Sequence, residues 1–150
     1  MGIIRDIDEL TPSMADLCRK FLSRCQDAGI RVAINETKRT DITQLLYFLQ
    51  GNIDPVKHNK DIVNEYNRLR KKYGLWEVSV TDALNKQITW TLESNHAGGN
   101  AFDAVPIKDG KVWWNAPIEV WNQIGEIGES VGLKWGGRWE HKDFPHFELP

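Results

Sequence analysis

Residues Glu93 to Ala104 read "ESNHAGGNAFDA". His96, one of only four histidines in the chain, stands seven residues before Asp103, with Gly98 and Gly99 between them. That spacing is too long for one helical turn, and glycine permits positive φ angles. It predicts a glycine-rich loop, Ala97 to Asn100, running into a strand that carries Asp103. Zinc takes nitrogen from His and oxygen from Asp, and a catalytic zinc uses three protein ligands and leaves a fourth position open. His96 and Asp103 can supply two. Near the C-terminus, "KDFPHFE" holds Asp143 and His146, with Pro145 stiffening the turn between them. His146 can be the third ligand. Asp143 then stands beside the metal without having to bind it, where it can take a proton from an attacking water. Each residue also has a plain reading: His96 as a satisfied core histidine, Asp103 as a turn residue, Asp143–His146 as a tight turn.

The rest of the chain narrows the class. At 150 residues it is expected to form a single domain, 1–150. Hydrophobic residues at 41% and charged residues at 27% suit a globular protein, and a net charge of −2 gives no general attraction to nucleic acid or anionic membranes. No stretch approaches the ~20 apolar residues of a membrane span, so no membrane insertion is expected. "MGIIRDIDELTPS" carries acids where a signal peptide needs an apolar run. Cys18 and Cys25 are seven apart on one predicted helix, hence ~10 Å apart, too far for a disulfide; they read as reduced core thiols. The seven tryptophans, at 76, 90, 113, 114, 121, 135 and 139, read as large core residues or as the walls of an aromatic groove. His58 reads as a surface or core histidine.

Periodicity supplies the elements. "TPSMADLCRKFLSRCQDAG" repeats apolar residues at helical spacing through Met14, Leu17, Cys18, Phe21, Leu22 and Cys25, with Thr11 and Pro12 at its start and Gly29 as its stop. "IRVAIN" alternates as a half-buried strand. "TDITQLLYFLQG" is a short helix capped by Thr40, and "NIDPVKHNK" a polar loop. "DIVNEYNRLRKKYG" is a helix facing inward through Ile62, Tyr66, Leu69 and Tyr73. From Leu75 to Leu92 the signal is mixed. "NAFDAVPI", "KDG" and "KVWW" form a hairpin. "NAPIEVWNQIGEIGESVG" is a helix begun by Asn115 and Pro117 that turns Ile118, Trp121, Ile124 and Val131 to the core. "LKWGGRW" and "HFEL" close the chain as strands. Helices lead and a small, mostly antiparallel sheet follows, so the class is α+β.

Two segments carry a resemblance. "SNHAGGNAFD" fits the pattern S-x-H-x-x-G-x-A-x-D through Ser94, His96, Gly99, Ala101 and Asp103, and "DFPHFE" fits a paired D-x-x-H through Asp143 and His146. Together they resemble the zinc peptidases related to D-alanyl-D-alanine carboxypeptidases, and most of all the L-alanyl-D-glutamate endopeptidases that many phages use as endolysins. "WGGRW" is similar to the W-G-G-x-W found there, although Arg138 stands where those enzymes often carry an acid. "NETKRTDITQLLYFLQG" resembles their upstream segment through Arg39, Gln44, Leu46–Tyr47 and Gly51.

The resemblance implies a hedgehog/D-alanyl-D-alanine-peptidase-like fold, with helices packed on the sheet. It implies a Zn2+ cofactor held by His96, Asp103 and His146, and Asp143 as general base and then acid. Arg39 is implied to hold the oxyanion or a substrate carboxylate, and Ser94 to orient His96 or a neighbouring backbone group. Lys38 beside Arg39 reads as a solvated charge, and His141 as exposed or at the cleft rim. The substrate implied is the stem peptide of peptidoglycan, cut by a monomer with no separate wall-binding domain. Such an endolysin is made in the host cytoplasm and reaches the wall after a membrane hole opens. Two rivals share the zinc residues: a D-alanyl-D-alanine carboxypeptidase or dipeptidase, and a non-catalytic zinc-containing binding module. Asp143 argues against the second, because a structural zinc needs no base.

Overall fold

The structure is a computed structural model that describes residues 2–50, 60–85, 95–96 and 98–150. In chain order it forms α1 (Pro12–Asp27), β1 (Val32–Glu36), α2 (Asp41–Leu49), α3 (Lys60–Lys72), α4 (Val80–Asn85), β2 (Ala101–Lys108), β3 (Lys111–Val112), α5 (Ile118–Ser130), β4 (Lys134–Trp135) and β5 (His146–Glu148). The strands form an antiparallel sheet in the order β1-β2-β5-β4, with β3 paired to β2 as a hairpin. The α+β class expected from the sequence is the class observed. The chain groups into two compact units: Met1–Ile3 with Arg39–Ala97, and Ile4–Lys38 with Gly98–Pro150.

The second unit contains the sheet. Its strand alternation divides the two faces by chemistry. Phe102 pairs with Phe147, and Trp135 with Phe147, on the apolar face. Phe21 of α1 packs there, its ring centroid 5.5 Å from Phe102 and 4.8 Å from Phe147. Helix α5 packs there too, through two positions that tolerate no side chain. A Cβ on Gly125 would lie 2.2 Å from Trp135, and one on Gly128 would lie 2.3 Å from Phe147. The other face of the same strands carries Asp103, His146 and Glu148.

Helix α1 has the bounds its sequence predicts. Pro12 occupies the first turn, where its missing N–H costs nothing, and Gly29 leaves the helix at φ +74°. Both cysteines are free and buried. Burial pushes the Cys18 thiol up to about 12 and the Cys25 thiol up to about 11, so neither is a ready thiolate at neutral pH. The hairpin turns at Asp109 (φ 52°) and Gly110 (φ 74°), as the Asp-Gly pair requires. The alternation expected of β1 is weak: Val32, Ala33, Ile34 and Asn35 are all half-buried, and only Glu36 is buried.

Two helix faces differ from expectation. In α5, Trp121 and Ile124 face the core as predicted, but Ile118 is exposed and Val131 only half-buried. Gly125 and Gly128 take the inward positions instead, because the Trp135 and Phe147 rings occupy the space a side chain would need. Asn115 is not the cap; Pro117 precedes the first turn.

The other difference lies in the first unit, which has its own small core of Leu46, Tyr47, Val63, Tyr66, Leu75, Val78 and Ala83. Thr40 caps α2 as expected, its hydroxyl accepting from the Thr43 N–H at 3.3 Å. In α3 the inward face runs through Val63, Tyr66 and Arg70, while Leu69 is exposed. An arginine takes the place of the expected leucine because its Nε and Nη1 find acceptors inside, although its Nη2 has none among the described residues. Its Nε donates to the Trp76 carbonyl at 2.8 Å, and its Nη1 donates to the Tyr66 hydroxyl at 3.0 Å. Residues 75–85, mixed in signal, contain the short helix α4. The expected polar loop at 52–59, with His58, lies outside the described residues, as do Gly51, Trp90 and the side chain of Ile62.

Candidate metal centre

Strand register places the first pair of site residues. β2 and β5 pair so that Asp103 stands opposite His146. Directly opposed residues in an antiparallel pair project to the same face, and Nδ1 of His146 lies 3.5 Å from an Asp103 carboxylate oxygen. His96 precedes β2 in the glycine-rich loop and is 2% exposed. One ligand-capable atom from each of His96, Asp103 and His146 lies within 4.8 Å of the others.

That grouping suits a metal ion. Two donors held ~2.1 Å from a tetrahedral zinc stand about 3.4 Å apart, so the set closes on an ion with an inward shift on the order of 1 Å at its widest. Two imidazoles and one carboxylate are also donors that zinc takes.

The loop between His96 and Asp103 explains its glycines. Gly99 has φ +74°, and a Cβ there would lie 3.1 Å from the Glu9 carbonyl oxygen and 3.2 Å from the Thr11 nitrogen. The Gly99 carbonyl accepts from the Thr11 N–H at 3.0 Å, and Asn100 accepts from the Thr11 hydroxyl at 3.1 Å. The loop is thus fastened to the start of α1, and only glycine combines that backbone angle with that close approach.

His146 is held from several sides. Its Nε2 lies 2.7 Å from a Glu148 carboxylate oxygen, and the Trp139 ring centroid is 4.8 Å from the imidazole. Burial lowers its pKa, but hydrogen bonds to Asp103 and Glu148 and the charges of Asp103 and Asp143 outweigh that and push it up to about 9. Without a metal the ring therefore carries a proton at neutral pH, and a metal must displace it.

Asp143 is exposed, in the turn before β5, and is not one of the three grouped donors. Its N–H donates to the Gly136 carbonyl at 3.0 Å, and its carbonyl accepts from the His146 N–H at 3.2 Å. Gly136 makes this approach possible, since a Cβ there would lie 2.4 Å from the Asp143 carbonyl oxygen. The first glycine of "WGGRW" thus lets the backbone of Asp143 in "DFPHFE" approach this closely.

Arg39 belongs to a separate group of contacts. Its backbone N–H donates to the His96 carbonyl at 2.9 Å. Its Nη1 donates to Gln44 Oε1 at 2.8 Å, and its guanidinium lies 4.7 Å from the Tyr47 ring centroid. The arginine, glutamine and tyrosine of the upstream segment are therefore brought together. Lys38 and His141 are exposed. Ser94 lies outside the described residues. Arg138, the departure from the W-G-G-x-W pattern, pairs with Glu129 of α5 at 2.8 Å and lies over the Trp135 ring. Its charge is answered locally.

Comparison with known proteins agrees with the two motifs. Residues 87–149 match the sequence pattern of a family described as D-alanyl-D-alanine carboxypeptidase. The matched stretch, less than half of the chain, contains His96, Asp103, Asp143 and His146. No curated protein sequence matches it. Among solved structures, the L-Ala D-Glu endopeptidase ChiX of Serratia marcescens is similar, with a TM-score of 0.58 and 20% identity, over 96% of this chain and 83% of that one. The vancomycin-resistance D,D-pentapeptidase VanY, solved with Zn(II), is similar with a TM-score of 0.56 and 14% identity, over 93% of this chain and 72% of that one. VanYB in complex with D-alanine-D-alanine gives a TM-score of 0.54 at 11% identity, over 93% and 71%. At these identities the structural likeness establishes a shared fold, the D-alanyl-D-alanine-peptidase-like α+β fold. The family match does not reach Arg39.

Glu148 is a site residue that the motifs do not contain, although the sequence carries a signal for it. It stands two residues after His146 in a strand, and residues i and i+2 share a face.

Proposed function

We propose that the chain is a zinc-dependent peptidase that cuts the stem peptide of peptidoglycan at the L-alanyl-D-glutamate bond. The observation that carries the reading is the grouping of His96, Asp103 and His146 with a non-ligand carboxylate, Asp143, next to it in sequence and in backbone contact. The likeness to ChiX, named as an L-Ala D-Glu endopeptidase, supports the choice of bond. We extend the proposal to an endolysin role, in which the whole chain acts as one monomeric catalytic domain on the wall after release from the host cytoplasm. The paired motifs of the sequence support that extension.

His96, Asp103 and His146 would hold the zinc. When bound, zinc polarises the scissile carbonyl and lowers the pKa of water. Asp143 accepts a proton from the attacking water and passes it to the leaving amine. Its exposed place in the turn leaves it open to both. Arg39, always charged and oriented by Gln44, supplies a planar donor pair for an oxyanion or a substrate carboxylate. Ser94, two residues before His96 in the sequence, would orient it or a neighbouring backbone group.

A second reading, D-alanyl-D-alanine carboxypeptidase, is favoured by the description of the matching family and by the likeness to VanY. Mass spectrometry of muropeptides after digestion of purified peptidoglycan separates the two. New D-glutamate amino termini are expected. Release of D-alanine without them would transfer the proposal to the carboxypeptidase.

A further inference from the structure

Glu148 is outside the proposed ligand set, yet it contacts one of the ligands. Its carboxylate lies 2.7 Å from Nε2 of His146, while Nδ1 of the same ring faces Asp103 at 3.5 Å. The period of β5 puts His146 and Glu148 on one face and turns Phe147 into the core on the other. Glu148 is itself fixed between two strands, opposite Ala101 of β2 and Lys134 of β4. Its side chain is 15% exposed and that of His146 is 7% exposed, so water competes little for their contact.

A histidine that binds a metal through one nitrogen carries its proton on the other, and an acceptor for that proton fixes both tautomer and ring orientation. We propose that Glu148 is a positioning residue for the metal, accepting the Nε2–H of His146 so that Nδ1, on the Asp103 side, is the nitrogen offered to zinc. This rests on the reading of His96, Asp103 and His146 as a zinc site. The Trp139 ring against the imidazole limits the ring's swing, so loss of the Glu148 contact acts mainly on tautomer and tilt.

Three substitutions separate hydrogen bond from charge. Glu148→Gln keeps an acceptor at the same reach and loses the charge. Glu148→Asp keeps the charge but is one methylene short. Glu148→Ala loses both. Zinc affinity is measured on the full chain by competition with a chromophoric chelator, and the site is read independently from the visible spectrum of the cobalt(II)-substituted protein. Ala and Asp are expected to weaken zinc binding roughly 10–100-fold and to alter the cobalt spectrum, and Gln is expected to recover most of the loss. Nitrogen-15 NMR of the zinc-loaded parent should show Nδ1 of His146 as the metal-bound nitrogen. If the Ala variant folds poorly, the comparison of Gln with Asp carries the test.

Equal zinc affinity in parent and all three variants would overturn the positioning role, as would Nε2 bound to the metal. Lower melting temperatures of the metal-free variants, with zinc affinity and cobalt spectrum unchanged, would also overturn it, because Glu148 would then serve folding alone. A parent that binds no zinc would instead overturn the reading of the site on which the proposal stands.

Discussion

His146 has a carboxylate at each ring nitrogen, Asp103 at Nδ1 and Glu148 at Nε2. In the metal-free protein these raise its pKa from 6.5 to about 9, against the effect of burial. A pKa raised on folding contributes stability that is fully present below the unfolded value and is lost as pH rises through the folded one. Metal-free protein should therefore lose on the order of a few kcal/mol of stability between about pH 6.5 and 9. Denaturant titrations across that range measure it, and stability that does not fall would contradict the assignment. Zinc affinity should rise over the same interval, since the metal competes with this proton. Asp143 is tested differently. Asp143→Asn keeps size and shape but cannot take a proton. Zinc content should stay near that of the parent, while hydrolysis falls roughly 10²–10⁴-fold. Zinc loss in this variant would make Asp143 a ligand. Arg39→Lys removes the planar fork that meets Gln44 and lies over Tyr47, and it should lose activity while keeping fold and metal. Near-parental turnover would reduce Arg39 to a structural contact.

At the scale of elements, the short strand β5 joins core to site. Phe147 locks it against α1 and α5, and the residues on either side of Phe147 emerge on the site face. The turn before it depends on Gly136. Gly136→Ala would place a Cβ 2.4 Å from the Asp143 carbonyl oxygen and 3.1 Å from the His146 Cβ. Overpacking of this kind costs about 1–3 kcal/mol, and the strain falls on the turn that carries Asp143, the proposed base. Thermal melts and wall-lysis assays should show both a loss of stability and a loss of activity larger than the stability loss explains. Parental values for both would mean that the turn accommodates a methyl group. Elements with their own boundary chemistry are legible in the sequence. Pro12 and Gly29 bound α1, Thr40 caps α2, and Asp109–Gly110 makes the hairpin turn. Inward faces are less legible wherever tertiary contacts override hydropathy. Arg70 is buried because Tyr66 and the Trp76 carbonyl receive it, and Gly128 faces inward because Phe147 fills the space. Hydropathy along a helix does not register partners of that kind.

For the whole molecule, the sequence places the two halves of the metal centre far apart, and strand pairing brings Asp103 and His146 together. The three grouped residues can be singled out in the sequence because each half has its own local pattern, a glycine loop leading to a strand and a proline turn leading to a strand. Glu148 cannot be read in the same way, because its role depends on the direction of an imidazole, which residue type does not announce. These residues are proposed to form a catalytic zinc centre acting on peptidoglycan. That centre is tested most directly by digesting purified peptidoglycan with the zinc-loaded protein, the protein treated with chelator, and the chelated protein given zinc again, and by following the released muropeptides by mass spectrometry. Cleaved stem peptides with new D-glutamate amino termini are expected in the first and third digests and none in the second. Equal cleavage in all three, or no cleavage by protein that carries one zinc per chain, would contradict this assignment.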